Sequence, residues 1–150
     1  MNVAHRPRDS SCHFRPKVRK LYCVDPQRKK KILLVDDSKT VLLMEETLLR
    51  LNHEIVKATR GAEALRVAAE ERPDLILLDI VMPDMDGIET CRLLRGMEAT
   101  KVTPIIMVTT RSDPRSVESA YASGASDYLT KPIDYQELRK KVERHLGVGT

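Results

Sequence analysis

Five side chains stand out by type and by place: Asp36, Asp37, Asp79, Thr109 and Lys131. Forty-three residues separate Asp36 from Asp79, 30 more lead to Thr109, and a further 22 lead to Lys131. Each closes a short apolar run, so a fold that aligns those runs would bring three carboxylates, a hydroxyl and an ammonium to one rim. Like charges brought that close need a counter-charge. Two of them about 4 Å apart repel by about 4 kcal/mol at an effective dielectric near 20. Hard oxygen donors suit Mg²⁺, which takes one or two carboxylates directly and leaves positions for water and phosphate oxygens. Lys131 adds a positive point charge, able to pair with Asp79 at rest or with a phosphoryl oxygen, and Thr109 adds a short rotatable donor. This set matches the needs of phosphoryl transfer, where positioning and electrostatics do most of the work. A carboxylate is itself an adequate phosphoryl nucleophile, and Asp79 is the expected one because it ends the central strand.

The elements that must hold these residues alternate regularly. Residues 31–35, 54–58, 74–79, 104–109 and 126–130 read as strands. The third, DLILLD, is apolar on both faces, as a buried parallel strand should be. Helical spacing follows each of them. Residues 38–52 carry Val41, Met44, Leu48 and Leu51 as an apolar stripe, with Asp37 or Ser38 suited to cap the start. Residues 61–71 place Ala62, Leu65, Ala68 and Ala69 on or near one face before Pro73 ends the helix. Residues 88–97, 113–123 and 135–146 complete the set, the last with Leu138, Val142 and Leu146 in line and Gly147 as its stop. Five β/α units predict a doubly wound α/β domain with a parallel sheet. Right-handed crossovers in such a sheet leave the working loops at the carboxyl ends of the strands.

Composition excludes other classes. A chain of 150 residues has room for one ordinary domain, and no run is apolar enough to span a membrane. Cys12, Cys23 and Cys91 make an odd count without a C-x-x-C, against both a disulfide framework and structural zinc, so a reducing cytoplasm is expected. The net charge of +4 is uneven: residues 1–31 carry ten Lys/Arg and two acids, and the remainder is net acidic. Residues 1–28 are therefore expected to be a flexible basic extension that could meet nucleic acid, anionic lipid or an acidic protein by attraction alone. Asp84, Asp86 and Gly87 read as turn chemistry, Cys91 as a small buried residue, and His53 and His145 carry no assignment.

The stretches ILLVDDS (32–38), DLILLDIVMPDMDG (74–87), PIIMVTT (104–110) and GASDYLTKP (124–132) resemble the receiver domains of two-component response regulators, the CheY-like family. The resemblance covers residues 29–147, leaving 1–28 and 148–150 as tails. It implies a flavodoxin-like (βα)5 sandwich with strand order 2-1-3-4-5, an order this family exemplifies. It also implies that Asp79 accepts the phosphoryl group and that Asp36, Asp37, Asp79 and the backbone carbonyl of Val81 hold Mg²⁺. Lys131 would bind the phosphoryl group, its bond to Pro132 cis, and Thr109 with Tyr128 would form the switch pair. Val81 and Arg111 occupy positions that tune water attack on the aspartyl phosphate, and Thr110 stands where a smaller residue is commoner.

The implied partners are a histidine kinase or phosphotransfer protein as donor, and a target protein bound by the face of the fourth helix, fifth strand and fifth helix. A monomer or a phosphorylation-dependent dimer is expected, with no membrane insertion, and the basic tail is the one part of the chain that could meet nucleic acid. The expected role is a stand-alone switch, as in chemotaxis, and not a turnover enzyme; a receiver cut from a longer regulator is the alternative. A Mg²⁺-dependent phosphohydrolase would instead show D-x-D at the end of its first strand. Here the only D-x-D, Asp84 to Asp86, lies in a turn, and no P-loop motif is present.

Overall fold

The computed structural model describes residues 28–147. The expectations for residues 1–27 and 148–150, the basic extension with Cys12 and Cys23 among them, lie outside the described residues. Ten elements alternate: β1 (Lys30–Val35), α1 (Lys39–Leu49), β2 (His53–Ala58), α2 (Gly61–Glu71), β3 (Leu75–Asp79), α3 (Gly87–Gly96), β4 (Ile105–Thr109), α4 (Pro114–Ala122), β5 (Asp127–Thr130) and α5 (Tyr135–Leu146). The five strands form one parallel sheet in the order β2-β1-β3-β4-β5. This is the doubly wound architecture expected from the alternation, with the order implied by the resemblance.

The two-residue period of the strands divides the core into two layers. Leu33, Val35, Ile76, Leu78, Ile105 and Met107 face one side and pack with Ala64 and Ala68 of α2, Cys91 and Leu94 of α3, and Ala120 of α4. Ile32, Leu34, Leu75, Leu77, Ile106 and Val108 face the other and meet Leu42 and Leu49 of α1 and Leu138 and Val142 of α5. Strands β3 and β4 are buried along their whole length, hence their unbroken apolar runs. Truncating any of these leucines to alanine would cost about 2 to 5 kcal/mol.

Short polar side chains start four of the helices. Ser38 accepts from the Val41 N–H, Asp86 from Glu89, Asp113 from Ser116 and Asp134 from Glu137, each cap worth about 1 kcal/mol. Of the two expected caps for α1, the structure uses Ser38. Helix α2 ends on Arg72 in the left-handed region (φ 47°), just before Pro73, and α5 ends on Gly147 at φ 66°. The turn residue Asp84 is also left-handed, at φ 70°.

The phase of α1 differs from expectation. Its buried residues are Leu42, Glu45 and Leu49, whereas Leu51 is 77% exposed and lies beyond the helix end, and Met44 is exposed. The segment KTVLLMEETLL offers two overlapping apolar stripes, and the sheet takes the one centred on Leu42 and Leu49.

Two charged side chains stitch the fold internally. The Arg95 guanidinium donates to the carbonyls of Gly124 (2.8 Å), Thr100 (3.0 Å) and Thr103 (2.5 Å), tying α3 to the loops that lead into β4 and β5. Asp127, buried at the start of β5, accepts from Lys141 at 2.7 Å, pairs with His145 at 2.9 Å and also pairs with Arg144. His145, left without assignment above, is thus part of the clasp holding α5 to the sheet. No helix among the described residues is long and apolar enough to cross a membrane.

Candidate functional site

Parallel strands bring their carboxyl ends to one edge, and there the expected residues meet. Asp36 and Asp37 follow β1, Asp79 ends β3, Thr109 ends β4 and Lys131 follows β5. One carboxylate oxygen from each of Asp36, Asp37 and Asp79 lies within 4.8 Å of the others. Asp36 and Asp79 are buried and Asp37 is exposed, so the cluster opens to water on one side. Lys131 sits across the buried pair, its Nζ 2.6 Å from Asp36 Oδ2 and 3.5 Å from Asp79 Oδ2. The expected resting partner was Asp79; the nearer one is Asp36. Its other oxygen accepts from the Ser38 N–H at 2.8 Å, which fixes this deeply buried carboxylate toward the amine.

The electrostatics follow from that packing. Burial raises the pKa of Asp79 to about 6 and the charge on Asp36 adds to the rise, while Lys131 and the Val81 N–H oppose it. Burial lowers the Lys131 pKa, but its hydrogen bond to Asp36 and the charge of Asp79 outweigh that and hold it above the ordinary lysine value. A fourth acid stands behind them. Glu45 of α1 is only 2% exposed; burial first, then the charge of Asp36, pushes it up to about 8. Sequence reasoning missed Glu45 because an acid at the margin of the stripe expected for α1 reads as a solvated side chain. A charged residue at the i+3 position between Leu42 and Leu49 was the available signal.

Around this cluster, the Val81 N–H donates to Asp79 Oδ1 at 3.4 Å, and the Val81 carbonyl takes no backbone hydrogen bond among the described residues. Thr109 is fully buried; its Oγ1 accepts from the Arg111 N–H at 3.2 Å, and its carbonyl accepts from the Lys131 N–H at 2.8 Å. Thr110 is exposed. Tyr128 packs into the β4–α4 side of the core, and its buried hydroxyl has no hydrogen-bond partner among the described residues. The Lys131–Pro132 bond is cis, as the resemblance implied. Gly87 makes this packing possible at the start of α3: a Cβ there would lie 2.2 Å from the Asp79 carbonyl oxygen and 2.7 Å from Ile80 Cα.

The donor set fits a hard divalent cation. Carboxylate oxygens converge, burial and then the Asp36 charge raise the Asp79 pKa, and a wet side is left open by Asp37. Clustered anions of this kind favour Mg²⁺ with part of its water shell retained.

Comparison with known proteins agrees with that reading. Residues 32–143 match the response regulator receiver domain. Over 118 residues the chain is 37% identical to Protein PilH of Pseudomonas aeruginosa, covering 78% of this chain and 98% of PilH. It is 38% identical over 115 residues to the alkaline phosphatase synthesis transcriptional regulatory protein PhoP of Bacillus subtilis, covering 76% of this chain but 47% of PhoP. The chain therefore spans about half the length of that longer regulator. Among solved structures, chemotaxis protein CheY4 of Vibrio cholerae superposes with a TM-score of 0.75 at 36% identity, covering 78% of this chain and 98% of CheY4. The receiver domain of a sensor histidine kinase from Pseudomonas aeruginosa, described with magnesium ion coordinated in its active site cleft, gives 0.75 at 32% identity, covering 80% and 99%. With strand order, site geometry and sequence in agreement, the chain belongs to the response regulator receiver domain family of two-component signalling.

Proposed function

We propose that this receiver domain is a phosphorylation-controlled switch that takes a phosphoryl group on Asp79 and answers with altered partner binding. The observation that carries this reading is the meeting of Asp36, Asp37, Asp79 and Lys131 at one strand edge. The donor is a histidine kinase or phosphotransfer protein. An Asp79 carboxylate oxygen forms the new O–P bond as the P–N bond of the donor's phosphohistidine breaks, and the imidazole leaves with the electron pair. Lys131 balances the added charge on the phosphoryl oxygens, and the Thr109 hydroxyl donates to one of them. Asp36, Asp37, Asp79 and the Val81 carbonyl would hold Mg²⁺. When bound, the ion supplies positive charge that offsets the acids and a ligand site for phosphate oxygen.

Thr109 gives up its bond to Arg111 when it turns to the phosphoryl group, and the ring of Tyr128 answers behind it. The readout is the face of α4, β5 and α5. Phosphate is held stoichiometrically and lost slowly, so the protein is a switch and not a turnover phosphatase. The near-complete coverage of PilH and CheY4 supports a stand-alone receiver. The decisive experiment incubates the chain with acetyl phosphate and Mg²⁺ and measures intact mass. Wild type gains one phosphoryl group, and neither Asp79→Asn nor wild type in chelator does. Steady turnover of small phosphomonoesters would refute the switch.

A further inference from the structure

A cleft of about 280 Å³ opens between α3 and α4, beside the site but outside it, with Arg92, Arg111 and Arg115 on its walls and Ile80 and Ile88 among its lining residues. Ile88 and Arg92 stand one turn apart on α3, Arg115 begins α4, and Arg111 follows Thr109 by two residues at the end nearest Asp79. All three arginines are exposed, and none has a carboxylate partner or a side-chain hydrogen bond among the described residues. The one acid in the lining, Asp86, has its Oδ1 engaged in capping α3. Asp113, next to the cleft, is likewise engaged by Ser116. Three unpaired guanidinium forks over an aliphatic floor form a local basic patch on a domain whose residues beyond 31 are net acidic.

We propose, on the basis of the switch reading above, that this cleft is a second binding site that takes an acidic peptide segment of a partner protein. Its carboxylates meet the arginine forks bidentately and one large apolar side chain rests on Ile80 and Ile88. The cleft is small and open for an enclosed organic ligand, whose pockets usually run from about 300 Å³ upward, and it suits two or three side chains. The site is coupled to Asp79 through the Arg111 N–H bond to Thr109 Oγ1. Turning the hydroxyl to a phosphoryl group breaks that bond and frees Arg111, one of the basic walls of the cleft, to close on the occupant. Phosphorylation therefore tightens the peptide, and by linkage the peptide raises the phosphorylated fraction.

Calorimetric titration of the full chain with a synthetic peptide of four glutamates around a central leucine tests this. Arg92→Ala and Arg115→Ala should each weaken binding about tenfold, as loss of a charge-assisted pair does. Arg92→Lys should fall between, because it keeps charge and loses the fork. Arg139→Ala on α5 should bind as wild type. Inorganic phosphate should compete weakly, and the glutamine version of the peptide should not bind. Binding that keeps its wild-type affinity in the Arg92→Ala/Arg115→Ala double substitution lies elsewhere on the chain and overturns the site. Both substitutions lie outside the phosphorylation chemistry, so intact mass reports phosphorylation separately. Where Asp79 takes phosphate and affinity does not rise, the coupling is overturned. Where Asp79 takes none, the switch reading fails, and the arginine dependence still decides the site.

Discussion

Replacing Asp79 with asparagine should make the metal-free protein more stable, and the amount follows from the site's own charges. The Asp79 carboxyl holds its proton more tightly folded than unfolded, about 6 against the ordinary 3.8. Folding stability then declines as pH rises from the lower value to the upper one, with the full penalty present above it. The penalty is about 1 kcal/mol at pH 4.5 and grows to about 3 kcal/mol at pH 8. Asparagine resembles the neutral acid and escapes it. Asp79→Asn should therefore gain about 3 kcal/mol at pH 8, or roughly 8 to 12 °C in Tm for a domain of this size. Urea titration in chelator, followed by far-UV circular dichroism, measures this at pH 8 and pH 4.5. Excess Mg²⁺ should recover much of the difference in wild type and little in the variant. A variant no more stable than wild type at pH 8, or one whose gain is the same at both pH values, would refute the claim that crowded, desolvated charge governs this edge.

Asp127 should behave in the opposite sense. Burial alone would raise its pKa, but Lys141, His145, the Tyr128 N–H and Arg144 together hold it well below the usual carboxylate range. Its contribution is thus present at neutral pH and lost only as pH falls below the ordinary aspartate range, and Asp127→Ala should cost about 2 to 3 kcal/mol at pH 7 in a urea titration. Arg95→Ala should destabilise by about 3 kcal/mol by stranding the carbonyls of Thr100, Thr103 and Gly124, while acetyl phosphate still labels Asp79. Val81, half exposed beside Asp79, cannot orient water, so Val81→Asn should shorten the lifetime of the phosphorylated form, read as decay of the intact-mass peak. An unchanged lifetime would remove Val81 from that role.

The strands and the site were legible because both rest on local signals. ILLV, LILL and IIMV are apolar on both faces, which only a covered parallel sheet explains, and the polar residue ending each run marks the edge where side chains gather. The phase of α1 was not legible, since Val41, Leu42, Met44, Leu48, Leu49 and Leu51 satisfy two stripes and only the sheet chooses between them. Glu45 went unnoticed for the same reason. The clasp at Asp127 and the ties of Arg95 join residues whose meeting depends on how α5 and α3 lie, which no local pattern encodes. The nearer pairing of Lys131 with Asp36 was likewise set by the Ser38 N–H, a backbone donor without a side-chain signature.

The close seat of Gly87 on the end of β3 has a mechanical consequence. With a Cβ excluded by the Asp79 carbonyl, backbone rests directly on backbone, and no deformable side chain cushions the contact. A force that shifts the first turn of α3 is delivered undamped to the peptide unit carrying the Asp79 side chain. Alanine at that position would act as a wedge against the backbone of Asp79 and Ile80. Helix and strand end thus move as one lever, and anything that grips the outer side of that helix has a handle on the aspartate.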